Sequence, residues 1–164
     1  MRTRVGTGRA VADRHGVSKA QVQSGAVVAE VKAANGDAAA VVVDVSKEED
    51  IKKMVEFAVS TYGRLDVALN NPGTEGVFAP LVEQNAERYD MVFEPNVRGV
   101  FNSMKYEAEV MLKQGSGSII NTASMGDLIG FDSASLYIAS QHAVVGMTKT
   151  ASIEWKLGRK LAGL

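Results

Sequence analysis

Five polar residues or short polar runs stand at spacings suited to a shared binding site. They are Asp44-Val45, Asn70-Asn71-Pro72-Gly73, Asn96, Ser124 and Tyr137. Tyr137 stands thirteen positions after Ser124, which follows a short apolar run. A serine at the end of a strand and a tyrosine in the first turn of the following helix can bring two hydroxyls to one oxygen atom. The spacing therefore predicts a site where both hydroxyls act on one oxygen of a small molecule.

The segments around these residues alternate between helical and strand-like patterns. The second helix is expected to open with a capping box at Ser46 to Glu49 and to end at Gly63. Strands that alternate with helices of more than ten residues indicate a parallel sheet covered by helices on both faces. Ligands bind beyond the carboxyl ends of such strands, where the polar residues stand. Helices are predicted over 18–35, 46–63, 82–114 (kinked or broken at Pro95) and about 135–155, and strands over 38–45, 65–70 and 118–123.

Composition excludes several other classes of function. The chain has 164 residues, no cysteine, and a formal net charge of −1. Disulfides, cysteine-bound zinc and thiol catalysis are therefore excluded, and no excess of positive charge points to nucleic acid. The two histidines, His15 and His142, lie far apart in sequence, so we expect no metal site. No apolar run is long enough to span a bilayer, and we expect a cytoplasmic protein.

In this order and spacing, the motifs resemble those of the short-chain dehydrogenase/reductase family, over roughly residues 26–157. The resemblance implies an α/β, Rossmann-like, doubly wound parallel sheet. It also implies an oxidoreductase that interconverts an alcohol and a carbonyl with NAD or NADP. The cofactor supplies or accepts the hydride, because no protein side chain can do so.

The resemblance also assigns roles to individual residues. Tyr137 matches the tyrosine whose hydroxyl exchanges a proton with the substrate oxygen, and Ser124 matches the serine that orients that oxygen. Asn96 matches the asparagine that helps to hold a water in a proton relay. Asp44 and Val45 match the residues that hold the adenine ring. The run Asn70-Asn71-Pro72-Gly73 is similar to the family's Asn-Asn-Ala-Gly turn, which supports the sheet and lies along the cofactor.

Gln141 departs from the family pattern, which has a lysine four residues after its tyrosine. A lysine ammonium lowers the pKa of a neighbouring tyrosine and hydrogen-bonds the nicotinamide ribose. Glutamine keeps a hydrogen bond but carries no charge. At an effective dielectric constant of about 20, a charge about 4 Å away contributes roughly 4 kcal/mol. Loss of half that energy slows proton transfer more than tenfold, so we expect weakened catalysis.

The first 25 residues match the family poorly, and two alignments stay open. In one, Gly6 and Gly8 are the end of the glycine-rich turn that presents backbone amides to the pyrophosphate. In the other, Ala10 to Arg14 is the end of the family's second strand, and Asp13 binds the adenosine ribose and favours NAD. The choice between NAD and NADP therefore stays open.

We expect residues 1–164 to form one domain that is incomplete relative to the family, without its C-terminal strands and substrate loop. The substrate cannot be named from this sequence. Two rival hypotheses remain beside the enzyme: a non-catalytic remnant, or a truncated gene product that folds and associates. The intact Asn96, Ser124 and Tyr137 favour the enzyme, whereas Gln141 favours its rivals.

Self-association is also expected, as a homodimer or higher homo-oligomer through helices 96–114 and 135–156. Both helices carry apolar residues nearly all round, which is typical of helices buried on more than one side. In the resembling family these two helices form a four-helix contact about a twofold axis. The apolar residues are Val97, Val100, Phe101, Met104, Tyr106, Ala108 and Met111 in the first helix, and Ile138, Ala139, Ala143, Val144, Met147, Ala151, Ile153 and Trp155 in the second.

Overall fold

A computed structural model describes the backbone of residues 17–125 and 128–161 and the side chains of 25–125 and 128–155. From α2 onward, helical segments and strands alternate along this part of the chain. The elements are α1 (Val17–Ala33), α2 (Glu48–Tyr62), β1 (Val67–Asn70), a 3₁₀ turn (Leu81–Glu83), α3 (Ala86–Phe93), a π-helical turn (Glu94–Arg98), α4 (Gly99–Gln114), β2 (Ser118–Asn121) and α5 (Ser135–Leu161).

The two strands pair in parallel, in a register that runs from Val67 opposite Ser118 to Asn70 opposite Asn121. The crossover between them contains α3, the π-helical turn and α4. Both strands therefore end on an asparagine at the same edge of the sheet. The predicted α/β class and parallel sheet are confirmed, and the polar loops after the two strands begin side by side.

The hydrophobic core lies where α4 packs against α5 and β2. Val100 and Met104 of α4 meet Val144 and Ala151 of α5, and Ile119, Met147 and Trp155 pack against this cluster. Side chains of β1 alternate between buried and exposed, so this helical layer covers one face of the strand. Among the described helices, none combines the length and the apolar character needed to cross a membrane.

The strand predicted at Ala38 to Val45 is wrong. Residues 38–44 have no regular secondary structure, and Val41 and Val42 are 42% and 41% exposed. A strand is held by hydrogen bonds from a neighbouring strand. Within the described residues the only sheet is the β1–β2 pair, so this apolar run has no partner there. Only Val45, at its end, is buried.

The helix boundaries follow local chemistry, with one correction. Gly63 ends α2 in a left-handed conformation with φ of 78°, as predicted. The prediction of a capping box at the start of α2 is wrong, because Lys47 is the N-cap and no side chain caps this helix. The hydroxyl of Ser46 instead donates to Asp44. The predicted break at Pro95 is confirmed as the π-helical turn between α3 and α4.

Candidate active site

Asn96 joins the loop after β1 to the first turns of α5. Its Oδ1 accepts from the Thr74 backbone N–H at 2.8 Å, and its Nδ2 donates to the Thr74 carbonyl at 2.9 Å. The same nitrogen donates to the Ser140 hydroxyl at 3.0 Å. Ser140 in turn donates to the Tyr137 carbonyl at 2.7 Å. With 1% of its surface exposed, Asn96 is a buried bridge between two predicted site segments.

The π-helical turn aims this asparagine inward. It brings the Gly99 N–H to the Glu94 carbonyl, which replaces the regular ladder of hydrogen bonds around Pro95. Proline has no N–H to donate, so a regular helix could not continue unchanged through this position. At the end of the turn, a Cβ added to Gly99 would lie 3.0 Å from the Val45 carbonyl oxygen. Glycine thus permits the close approach of the turn to Val45.

Tyr137 is half-buried in the first turn of α5, on the same helix face as Gln141 four residues later. Gln141 is only 5% exposed, so a neutral amide occupies the buried position where the family pattern has a cation. The loop before α5 is tied to the loop after β1, because the Ala79 N–H donates to the Ser133 carbonyl at 2.8 Å. The two loops therefore meet beside the start of α5.

Ser124 lies three residues after the end of β2 and is half-buried. It borders an open groove of about 500 Å³ between this loop and α5, together with Met125, Val145 and Lys149. Tyr137 is not among the residues that line the groove. The meeting of the serine and tyrosine hydroxyls on one oxygen stays a prediction.

Asp44 turns its carboxylate toward the start of α2. One oxygen accepts from the Ser46 hydroxyl at 2.7 Å and from the Ser46 N–H at 3.0 Å. The other lies 3.4 Å from the Lys47 ammonium. The hydrogen bond from the Ser46 hydroxyl is the main cause that lowers the pKa of Asp44. This carboxylate is therefore ionised and half-exposed, beside the buried Val45.

Asn70, the first residue of the predicted cofactor turn, is buried and points into the protein. Its amide nitrogen donates to Glu107 of α4 at 2.8 Å and to Asn121 of β2 at 3.0 Å. Asn71 and Gly73, in contrast, are exposed. The turn thus presents Asn71 and Gly73 to solvent at the carboxyl edge of the sheet, while the inward-pointing side chain of Asn70 anchors the start of the turn.

Glu107, Thr74 and Ser140 belong to this arrangement, although the sequence reasoning missed them. Burial raises the pKa of Glu107 to about 7, against the opposing effect of the hydrogen bond from Asn70. A signal was available for Glu107, because it lies three residues after Met104 and four before Met111, both buried in α4. A carboxylate inside an apolar stripe indicates a buried partner. The predicted Gly6, Gly8 and Asp13 lie outside the described residues.

Comparison with known proteins places this geometry in context. The sequence profile of the short chain dehydrogenases matches residues 6–158. Cyclohexanol dehydrogenase of Acinetobacter sp. is 43% identical over 129 residues, which cover 79% of this chain and 51% of that protein. The chain thus spans about half the length of the curated relatives it matches.

Solved structures agree with the sequence comparison. NAD⁺-bound xylitol dehydrogenase superposes with a TM-score of 0.78 at 30% identity, over 90% of this chain and 54% of that one. ElxO with NADP bound superposes with a TM-score of 0.69 at 32% identity, over 73% of this chain and 48% of that one. At 30% and 32% identity, these two structures are similar to this chain in sequence as well as in fold.

Proposed function

This chain belongs to the short-chain dehydrogenase family, and from that membership we propose that it binds NAD or NADP and interconverts an alcohol and a carbonyl by hydride transfer. The observation that carries the proposal is the buried Asn96, which joins Thr74 of the loop after β1 to the Tyr137 turn of α5 through Ser140. The bridge connects the expected cofactor loop to the expected proton donor. The NAD⁺ and NADP complexes of two similar structures support the class of cofactor.

The described residues fit a nicotinamide nucleotide at two places. The turn with Asn71 and Gly73 is exposed at the carboxyl edge of the sheet, where ligands of parallel sheets bind. Its far end is fixed by the bonds between Thr74 and Asn96. Asp44 keeps 44% of its side chain exposed beside Val45, so its ionised carboxylate remains accessible to an adenine amino group.

The side chains of the site would have separate roles in the reaction. A bound nicotinamide supplies or accepts the hydride. The Tyr137 hydroxyl gives a proton to the substrate oxygen during reduction and takes one during oxidation. The Ser124 hydroxyl donates a hydrogen bond that orients the same oxygen. Asn96 keeps the Tyr137 turn and the cofactor loop at a fixed separation. Gln141 offers no positive charge to stabilise the tyrosinate, so we propose that turnover is slow.

A second candidate function is favoured by Gln141 itself. A neutral, buried amide at the lysine position would suit a chain that binds a nucleotide or associates with copies of itself but performs no redox chemistry. This candidate shares the fold and the cofactor turn with the enzyme. It differs in predicting no turnover that depends on Tyr137.

One experiment separates the two candidates. The protein is titrated with NADH and NADPH by calorimetry and by nicotinamide fluorescence. Turnover is then measured with NAD⁺ or NADP⁺ and cyclohexanol, the alcohol named in one relative, whose oxidation reduces the nucleotide. We expect weak, saturable binding and slow turnover. Tyr137→Phe should abolish turnover and leave binding unchanged. No heat and no fluorescence change at millimolar nucleotide would reject the proposal. Binding by the wild type and by Tyr137→Phe, with equal turnover in the two proteins, would favour the non-catalytic candidate.

We also propose that the chain forms a homodimer through α4 and α5. Phe101 of α4 and Ile153 of α5 are large apolar residues that stay 51% and 62% exposed. Several of the other apolar residues expected at this contact, including Val100, Met104 and Val144, instead form the internal core. The surface available for association is therefore smaller than the sequence pattern indicates.

A further inference from the structure

A chain of hydrogen bonds, buried at Glu107 and half-buried at Thr148, lies at the carboxyl ends of both strands. Asn70 and Asn121 are the paired last residues of β1 and β2. Asn70 Nδ2 donates to Asn121 Oδ1 at 3.0 Å and to Glu107 Oε2 at 2.8 Å. Asn121 Nδ2 donates to the Thr148 hydroxyl at 2.8 Å, and Thr148 donates to the Val144 carbonyl at 2.7 Å. The chain therefore connects α4, both strands and α5.

The acceptors at the two ends of this chain set the direction of its bonds. A carboxylate only accepts hydrogen bonds, so Asn70 must turn its amide nitrogen toward Glu107. Both amide protons of Asn70 are then used, and Asn121 must offer its oxygen to Asn70. The amide nitrogen of Asn121 consequently faces Thr148, whose proton goes to the Val144 carbonyl. The Val144 carbonyl at the other end also only accepts, so the same orientations follow from both ends of the chain.

Protonation of Glu107 would weaken the hydrogen bond from Asn70, because a bond to an ionised acceptor is stronger than a bond to a neutral one. Glu107 is 4% exposed, and burial raises its pKa to about 7. The groups facing it are neutral: Asn70 from β1 and, beyond it, Asn121 and Thr148. On α4, Lys105 bonds Glu48 of α2 at the surface, and Glu109 is exposed. A protonated Glu107 still has an oxygen that can accept from Asn70, but the bond then has no charge to strengthen it.

Asn70 is well placed to transmit this change to the exposed turn. Its backbone carbonyl accepts from the Thr122 N–H at 2.8 Å, which ties the loop after β1 to the loop that carries Ser124. The turn from Asn71 to Gly73 lies between two anchors, Asn70 on one side and Thr74 on the other. Asn96 holds the Thr74 anchor through both the oxygen and the nitrogen of its side-chain amide. At the Asn70 anchor, Glu107 and Asn121 hold the side-chain amide.

We propose that Glu107 is a positioning residue, whose carboxylate fixes the Asn70 amide and thereby the Asn71–Gly73 turn in the form that accepts the nicotinamide nucleotide. The nucleotide part of this inference rests on the proposed function; the coupling of Glu107 to the turn does not. In the ionised form the turn is held as described. In the protonated form the Asn70 amide is held less tightly, the turn shifts, and the affinity for the nucleotide falls.

Nuclear magnetic resonance of the ¹⁵N-labelled protein between pH 5.5 and 8.5 tests the coupling without any ligand. In the wild type we expect the backbone amides of Asn71 and Gly73 and the side-chain amide of Asn70 to titrate together, with one midpoint near pH 7. Glu107→Gln should abolish this titration. Glu109→Gln, an exposed residue on the same helix, is the matched control and should leave it intact. Turn amides that do not titrate with Glu107 in the wild type would overturn the proposal, even if the glutamine variant fails to fold.

The dissociation constant of whichever of NADH and NADPH binds is then measured over the same pH range. We expect the wild type to lose at least threefold in affinity from pH 8.5 to pH 5.5 and Glu107→Gln to lose much less. Equal pH dependence in both proteins would overturn the link to the nucleotide. A turn that titrates in a protein that binds neither nucleotide would reject the proposed function and support the coupling of Glu107 to the turn.

Discussion

The side-chain nitrogen of Asn96 lies 3.0 Å from the hydroxyl oxygen of Ser140, one helical turn beyond Tyr137. The same side chain uses its oxygen and nitrogen on the backbone of Thr74. A single asparagine thus satisfies both backbone groups of a loop residue and one hydroxyl of α5. The geometry makes Asn96 a structural bridge, whatever its part in proton transfer.

Asn96→Ala should lower the free energy of unfolding by about 2 to 4 kcal/mol, because it removes two hydrogen bonds to the half-buried Thr74 and a buried one to Ser140. Asn85→Ala is the matched control. Asn85 is exposed and makes one capping bond, to the Arg88 N–H. Its loss should cost about 1 kcal/mol. Denaturant unfolding of both variants measures the difference, and equal losses would contradict the bridging role.

The sequence predicted the elements that its hydrophobic period and breakers define. Pro95 marked the π-helical turn, Gly63 marked the end of α2, and Asn70 marked the end of β1. The strand predicted over 118–123 ends earlier, at Asn121. The prediction of a strand at 38–45 was wrong because a run of alanines and valines indicates apolar character. It does not indicate whether a neighbouring strand is available for pairing. Pairing is a property of two segments and cannot be read from one.

The site was predicted less completely than the fold, for a related reason. Motif residues such as Asn96 and Tyr137 were identified by their spacing, but their partners Thr74 and Ser140 are ordinary loop and helix residues with no distinguishing pattern. Ser46 shows the same limit. Its position fits a helix cap, yet the nearby Asp44 carboxylate competes for its hydroxyl at 2.7 Å. Such competition between local partners is decided by three-dimensional geometry.

Gln141→Lys should raise dehydrogenase turnover more than tenfold, since a cation beside Tyr137 favours the tyrosinate that takes part in proton transfer. The pH–rate profile should also move to lower pH, because the base form appears earlier. Gln141→Met is the control of similar length without charge and should give no increase. Rates and profiles are measured at saturating nucleotide. A lysine variant that binds nucleotide with unchanged rate and profile would show that the missing charge does not limit turnover.

Glu107→Gln should change how stability depends on pH. Burial raises the pKa of Glu107 from its ordinary 4.5 to about 7, so the folded protein holds this proton more tightly than the unfolded chain. The contribution of Glu107 to the free energy of unfolding therefore falls as pH rises from 4.5 to 7 and is constant above, a loss of about 3 kcal/mol. The variant should lack this loss.

Urea unfolding at half-unit steps between pH 4.5 and 8 measures the effect as the difference between the wild type and Glu107→Gln. Other titrating groups contribute equally to both proteins and cancel in the difference. Glu109→Gln, which changes an exposed carboxylate on the same helix, should follow the wild type. Parallel curves for wild type and Glu107→Gln would mean that Glu107 titrates at its ordinary pH in the folded protein.

Self-association through α4 and α5 is tested by light scattering at micromolar concentration. We expect a mass near twice the 17.4 kDa of one chain. Phe101→Glu combined with Ile153→Glu should give the monomer, because both side chains are exposed and apolar in one copy and a buried charge disfavours the contact. Met147 is unsuitable for this test, since it packs against the internal core.

Lys113→Glu, a charge change at another exposed position on α4, is the control and should keep the wild-type mass. A single species of one-chain mass in the wild type would reject the dimer, and a doubled mass that survives both glutamates would place the contact on a different surface.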